Sequence, residues 1–324
     1  MTDTGPLFMP SGDLIADRRY RWALDHLARG DLTGAADILT QALEFAPQFA
    51  AAWFALGEVR DRLGDRGGAV AAFEKARDSG AEDYHGARLH LARLGAGEVT
   101  QAMTEAYVRR LFDQYVARYD AALTERLAYR GPQILSDAVE SVMRAAGREP
   151  RFGSMLDLGC GTGLAGAVFR PFVDWLVGVD LSPGMVAQAA AKGLYDRLAT
   201  ADLERFVAAE AAAAARYHLI VAADVFVYVN DLGPVMAAVA RVIAPDGIAA
   251  FTVETHSGAG TKLLPTLRYA HGEPYLRGVI NAAGLSTAHL AAAAVRTEKS
   301  APVEGLVVVA QPSTAIRPIA TSRG

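Results

Sequence analysis

The sequence predicts an α/β chain: a mostly parallel, doubly wound sheet preceded by an all-α block of helical repeats. Three observations predict it. A spacing of 34 residues relates Ala16–Phe49 to Ala50–Asp83. Past Gly153, short apolar runs alternate with helical stretches, the pattern of strands joined by crossover helices. The first four of those runs each deliver an acidic residue at or just after the strand end: Asp157, Asp180, Asp202 and Asp224.

A chain of 324 residues has room for two domains, and 52% apolar with 21% charged residues is a globular composition. The formal charge of −4 supplies no broad basic field, which disfavours nucleic acid as a partner. The single cysteine, Cys160, allows no intrachain disulfide, and no metal site is expected. The opening MTDTGPLFMPSGDLIADRRY lacks a basic start followed by an apolar core, so no signal peptide is read. The longest apolar run, LIVAADVFVYV at 219–229, contains Asp224 and is too short to span a bilayer. A cytoplasmic protein with no membrane span is expected.

In the repeated block, Gly30 aligns with Gly64, Asp31 with Asp65, Ala35 with Ala69, Leu39 with Phe73 and Ala42 with Ala76. Small residues at Gly57, Ala69 and Ala76 let antiparallel helices approach, and Gly30 and Gly64 sit where a helix must end and turn. The Trp53, Leu56, Gly57 set and Pro47 resemble the tetratricopeptide repeat. A further helix, Tyr84–Leu94, would cap the stack. The block is a docking surface for a partner, a self-association surface, or an appendage packed on the rest.

Gly95–Thr100 breaks the pattern. After it, Val108, Leu111, Phe112, Tyr115, Tyr119, Ala122 and Leu123 form one apolar, aromatic helical stripe, which Gly131-Pro132 is expected to end. A second helix is read at Ile134–Ala146. The strands follow at Ser154–Leu158, Trp175–Val179, Leu198–Ala201, His218–Ala223, Ile248–Thr255, Ser286–Val295 and Gly305–Ala310. Helices between them are read at Leu164–Phe169, Pro183–Lys192, Ala208–Arg216, Leu232–Ile243 and Glu273–Ala283. The domain boundaries expected are a tail 1–15, repeats 16–95, the sheet domain with its lead-in helices 101–311, and a tail 312–324.

Ligands of such sheets lie beyond the carboxyl ends of the strands. There DLGCGTGLAG, residues 157–166, carries two overlapping patterns. GTGLAG satisfies the dinucleotide fingerprint, and DLGCGTG equally satisfies a loop for S-adenosylmethionine. A pyrophosphate on a helix N-terminus disfavours a carboxylate in the loop mouth, whereas Asp157 offsets a cationic methionine end. Gly159 and Gly161 let the backbone approach a cofactor. Asp180 can accept both ribose hydroxyls of either cofactor. Asp202 can accept from the adenine amine, with the Leu203 N–H donating to the ring, and Met185 is placed against the adenine face. A lone carboxylate at a strand end is otherwise an ordinary helix N-cap.

From about Tyr107 to Gln311 the chain resembles the class I S-adenosylmethionine-dependent methyltransferases, through LDLGCGTG, VDLSPGM, ADLE, LIVAADVFVYVNDL and APDG before a strand. With its repeats, and with LFDQYVARYDAALTERLAYRGP before the fold, the whole chain is similar to bacterial tetratricopeptide-containing methyltransferases. The resemblance implies a Rossmann-like sheet of seven strands with the last antiparallel, and S-adenosyl-L-methionine as cofactor. It implies cofactor roles for Asp157, Gly159, Gly161, Asp180, Met185, Asp202 and Leu203. Thr162, Leu181, Asp224 and Tyr119 complete the expected cofactor set, Tyr119 by closing an aromatic face over the sulfonium.

Methyl transfer needs the acceptor held in line with the methyl group, so no base is obligatory. If one is used, His256 and His271 are the candidates, against the alternative of ordinary loop or core histidines. Tyr228, Arg268 and Tyr269 are candidates for binding the acceptor, a small molecule or a partner protein docked on the repeats. The motif for methylating nucleobase amines is missing at AADVF, and Cys160 lies inside the glycine loop, where a cytosine-attacking thiol would not be presented. An oxidoreductase using NAD and a catalytically idle scaffold are the two alternatives.

Overall fold

The computed structural model describes residues 10–80, 82–116, 129–298 and 301–313. They fall into two compact units that do not follow chain order. One comprises Met1–Ala117, Tyr228–Asn230 and Lys262–Tyr269, and the other Arg118–Val227, Asp231–Thr261 and Ala270–Gly324.

The first unit is helical: α1 (Leu14–Ala28), α2 (Leu32–Phe45), α3 (Ala50–Arg62), α4 (Arg66–Asp78), α5 (Ala87–Arg93) and α6 (Glu105–Tyr115). The 34-residue offset is visible in its joints. Gly30 and Gly64 both adopt left-handed φ, at +79° and +81°, where a side chain would be strained. Asp31 and Asp65, one residue on, cap α2 and α4 by accepting the Gly34 and Gly68 N–H groups at 2.9 Å each. Gly57 has a packing reason: a Cβ there would lie 2.7 Å from the ring of Phe73, which is wholly buried. Leu39, Leu56, Ala52 and Val59 share a core with Tyr20 and Phe49.

Helix α6, read from the sequence as a lead-in to the sheet, belongs to this helical unit. Thr104 caps it, and Arg110 on it donates to the Tyr84 carbonyl at 3.1 Å and to His85 Nδ1 at 2.6 Å. Leu263 and Leu267, far along the chain, pack on the cluster of Leu89, Ala92 and Ala102. The Tyr269 hydroxyl donates to the Val99 carbonyl at 2.7 Å.

The second unit opens with α7 (Gly131–Ala145). Gly131-Pro132 starts this helix, three residues before the Ile134 expected, since proline in a first turn gives up only an N–H that has no helical partner; the stretch it was expected to end, 117–128, lies outside the described residues. The strands of the described residues are β1 (Phe152–Leu158), β2 (Val173–Asp180), β3 (Arg197–Thr200), β4 (Tyr217–Ala222), β5 (Ile243–Glu254), β6 (Thr261–Leu263), β7 (Tyr269–His271), β8 (Leu285–Glu298) and β9 (Ala301–Pro312), of which Lys262, Leu263 and Tyr269 are counted in the first unit. Between them run α8 (Leu164–Phe169), α9 (Pro183–Ala191), α10 (Leu203–Ala212), α11 (Gly233–Val242) and α12 (Glu273–Ala282).

Strands β3, β2, β1, β4 and β5 are parallel neighbours in that order, β9 joins β5 antiparallel, and β8 joins β9 antiparallel. The expected mostly parallel sheet with an antiparallel last strand is present, but among the described residues it has nine strands and not seven. The two extra strands, β6 and β7, are three residues each and lie in the polar segment after β5, where so short a run carries no readable period. Helix α10 also differs from the Ala208–Arg216 expected. An alanine run has no internal stop, so the Asp202 cap sets its start and Ala214, at φ +54°, lies beyond its end.

One face of the sheet packs Met155, Leu219, Val221, Ile248 and Val307 against Leu135, Val139 and Met143 of α7 and Phe169 of α8. Burial on both faces explains why β1 and β4 read as nearly continuous apolar runs. Among the described residues no helix is long and apolar enough to cross a membrane.

Candidate functional site

The site is built where β1 runs out. Gly159, Gly161 and Gly163 all take positive φ (+66°, +52° and +90°), so the chain turns tightly before α8. The Cys160 N–H donates to Val179 at 2.9 Å, and the Gly163 N–H closes the turn on Cys160 at 2.8 Å. Asp180, at the end of β2, ties the loop down. Its Oδ2 accepts the Gly161 N–H and its Oδ1 accepts the Ser182 N–H, each at 2.9 Å. Asp180 is thus a carboxylate held at the mouth of the loop by backbone N–H groups on both sides. Gly159, Cys160, Gly161, Thr162, Leu164 and Ala165 line a shallow open cleft, together with Tyr129, Pro132 and Ala223.

Asp157, two residues before Gly159, is 1% exposed. Its Oδ2 accepts the Tyr195 hydroxyl at 2.6 Å, while Oδ1 is buried and has no hydrogen-bond partner among the described residues. Burial pushes the Asp157 carboxyl up to about 7, against the pull of the Tyr195 bond, and the charge of Asp180 adds to the rise. An unpartnered buried acceptor is costly, and a cation beside it removes that cost. The buried, unpartnered Asp157 oxygen therefore fits a ligand with a cationic end. Among the described residues no cluster of three or more His, Cys, Asp or Glu side chains could hold a metal.

Tyr195 is the site residue that the sequence reading missed. Its ring lies over three glycines. A Cβ at Gly178 or Gly163 would come within 2.7 Å or 3.0 Å of it, and one at Gly166 would collide with the hydroxyl. Gly166, the residue that completed the dinucleotide pattern, is thus small because Tyr195 needs the space. Gly159 has a similar reason. Its Cβ position is blocked at 2.6 Å by Val225, so that glycine makes room for protein as well as for the turn.

The other expected residues divide. Thr162 is buried in the loop and lines the cleft. Leu181 is half-buried beside Asp180, and Leu203 is half-buried at the first turn of α10. Met185 is wholly buried, with its N–H bonded to the Ser182 cap at 3.1 Å, and presents no surface to an adenine. Asp202 caps α10 by accepting the Arg205 N–H at 3.0 Å, the alternative weighed for any strand-end carboxylate.

Asp224 is tied to β5 and β8. It holds φ +61°, its N–H donates to Thr252 Oγ1 at 2.8 Å, and its Oδ1 pairs with Arg296 at 2.5 Å. Arg296, buried on β8, also pairs with Glu254 at the end of β5 and with Glu298 at 3.0 Å. Tyr119 lies outside the described residues.

His256 Nε2 donates to the Gly260 carbonyl at 2.9 Å, and its Nδ1 accepts the Gly258 N–H at 3.0 Å, so its ring organises its own loop. His271 is wholly buried and stacks on Tyr275. The Tyr275 hydroxyl accepts the Leu232 N–H and donates to Asp231, joining α12 to the start of α11. Tyr228, Arg268 and Tyr269 fall in the helical unit, Tyr228 with its ring edge-on to Phe112. Burial, with the charges of Asp157 and Asp180, pushes the Cys160 thiol up, away from thiolate chemistry.

Residues 128–282 match the family model described as a methyltransferase domain. Over that stretch the chain is similar to methyltransferase domains. Over 87 residues it is 41% identical to the human methyltransferase-like protein 27, a stretch that is 26% of this chain and 34% of that protein, so the chain spans about a third of that relative's length. Among solved structures it is similar to the N-methyltransferase NodS of Bradyrhizobium japonicum WM9, with a TM-score of 0.49 and 16% identity over 63% of this chain and 98% of that one. It is also similar to the 1,6-didemethyltoxoflavin-N1-methyltransferase of Burkholderia thailandensis, with a TM-score of 0.47 and 20% identity over 62% and 87%.

Proposed function

We propose that the chain is an S-adenosyl-L-methionine-dependent methyltransferase, acting in the cytoplasm on a small molecule or on a partner protein. The observation that carries the reading is Asp157. A buried carboxylate with one unpartnered oxygen, placed before a glycine loop within the matched domain, suits a cationic ligand and opposes a pyrophosphate. Bound there, the donor supplies an electrophilic methyl group on a sulfonium.

In this reading Asp157 faces the cationic methionine end, and Asp180 accepts the ribose hydroxyls while holding Gly161. Gly159, Gly161, Thr162 and Leu181 shape the seat, and the Leu203 N–H with the free lone pairs of Asp202 meets the adenine. His256 and His271 are engaged in their loop and core, which favours an acceptor needing no histidine base, such as an already ionised oxygen or an amine. The matched joints at Gly30 and Gly64 support a tetratricopeptide-type pair of repeats, which would dock a protein acceptor or a helper.

Titration calorimetry with S-adenosylmethionine and with NAD tests the reading. The methyl donor binds and NAD does not; tight NAD binding overturns the proposal. Labelled donor added to separated protein and small-molecule fractions of a cell lysate then identifies the acceptor class. Donor binding with no label transferred to either fraction would favour an idle scaffold.

A further inference from the structure

The fold builds a bonded pair, Tyr195 and Asp157, beneath the glycine loop and commits three glycines to it. We propose that Tyr195 is a positioning residue of the donor site: its hydroxyl holds Oδ2 of Asp157, leaves Oδ1 for the cationic end of the donor, and makes donor binding release a proton. The inference rests on the methyl-donor reading of the loop and adds to it a residue and a pH dependence.

The geometry supplies the first half. Tyr195 follows α9 and reaches back across Gly178 of β2 and Gly163 and Gly166 of α8 to meet Asp157 at 2.6 Å. A ring wedged between three glycines has little freedom, so its hydroxyl is a fixed donor and fixes the carboxyl plane of Asp157. With Oδ2 taken, the remaining buried acceptor is Oδ1. A phenylalanine would fill the same slot, so the hydroxyl serves the carboxyl and the ring serves the packing.

Charge supplies the second half. The groups that act on Asp157 are Tyr195, Asp180 and Cys160, and none is a cation. With the carboxyl raised to about 7, a proton is held there in much of the unliganded protein at neutral pH. A cation at Oδ1 favours the carboxylate, and the proton leaves to solvent. Donor affinity therefore falls as pH drops below about 7, by about tenfold per pH unit when one proton is displaced. Removing the hydroxyl takes away the bond that favours the carboxylate. The carboxyl rises further, and the decline in affinity begins at a higher pH.

The test is calorimetric titration of S-adenosylmethionine from about pH 6 to about pH 8, in buffers of different protonation enthalpy. The proteins are the full chain, Tyr195→Phe, Asp157→Asn and the double variant. The unsubstituted chain should release a proton on binding below neutrality. Tyr195→Phe should bind about tenfold more weakly near pH 7, with its affinity profile displaced upward in pH. Asp157→Asn should flatten the profile, and adding Tyr195→Phe to it should cost nothing further.

An unchanged profile in Tyr195→Phe overturns the inference, as does a full loss from Tyr195→Phe in the Asp157→Asn background. If Tyr195→Phe does not fold, proton release by the unsubstituted chain decides, and zero release near pH 6 overturns it. Failure of the unsubstituted chain to bind the donor at any pH overturns the donor reading itself.

Discussion

The carboxylate of Asp180 accepts the Gly161 N–H at 2.9 Å, so the end of β2 clamps the loop that follows β1. The same carboxylate is assigned to the donor's ribose, and one substitution therefore strikes both loop and ligand. Asp180→Ala should weaken S-adenosylmethionine binding by at least about tenfold, the scale of a charged hydrogen bond. Calorimetry checks it, and unchanged affinity refutes the assigned role.

Gly166→Ala places a methyl group against the Tyr195 hydroxyl. The ring has no free direction, because Gly163 and Gly178 bound it too. Overpacking of this kind costs about 1–3 kcal/mol. Denaturant unfolding of the purified chain should show that loss, and Gly166→Ala combined with Tyr195→Ala should recover part of what the tyrosine truncation does not itself remove.

Arg296 is buried among Asp224, Glu254 and Glu298. Arg296→Met keeps the apolar stem and removes the cation, at a cost of about 3–5 kcal/mol for a broken buried pair. Chemical denaturation of the purified chain should reveal that loss, and Arg296→Lys, which keeps the cation, should recover part of it. An Arg296→Lys variant as unstable as Arg296→Met would show that the cation is not what the cluster needs.

Burial lowers His85 and His90 in the helical unit to about 4, with Arg110 adding to the effect on His85 and Arg93 on His90. Arg110 donates to His85 Nδ1, which requires that nitrogen to be unprotonated. The sign follows from linkage: both histidines bind protons more readily unfolded, so their neutral burial stabilises fully above the unfolded pKa of about 6.5. That stability is lost as pH falls from there toward about 4. Helical circular dichroism on heating should give lower melting temperatures across that window, and His90→Phe should soften the slope.

Much of the scaffold was legible because its signals are local. The repeat joints needed only Gly30 with Asp31 and Gly64 with Asp65, and the parallel strands needed only apolar runs ending in acids. The donor loop was legible for the same reason, since Asp157 and Gly159–Gly163 are adjacent in sequence. Tyr195 was not, because its partner lies 38 residues away and nothing around LYDR marks a hydroxyl aimed at another strand. Its trace was present as Gly166 and Gly178, but a glycine records that space is needed without recording what fills it. Met185 and Asp202 were drawn toward the adenine by pattern, while burial took the first and helix capping engaged the second. Asp224 was placed with the strand-end acids by phase, yet a positive φ and a long-range arginine redirected it.

The helical unit does not end where the helices end. Leu263, Leu267 and Tyr269 complete its packing from a segment over a hundred residues downstream. A deletion that removes residues 1–100 would thus take Leu89, Ala92 and Val99 away from that later segment, and a lost activity in such a truncation would report a damaged loop as readily as a missing partner. Separating the two roles calls for point substitutions on the outer surface of α1 to α4, which alter what the helices offer to another molecule and leave the packing of residues 263–269 on α5 and the segment after it intact.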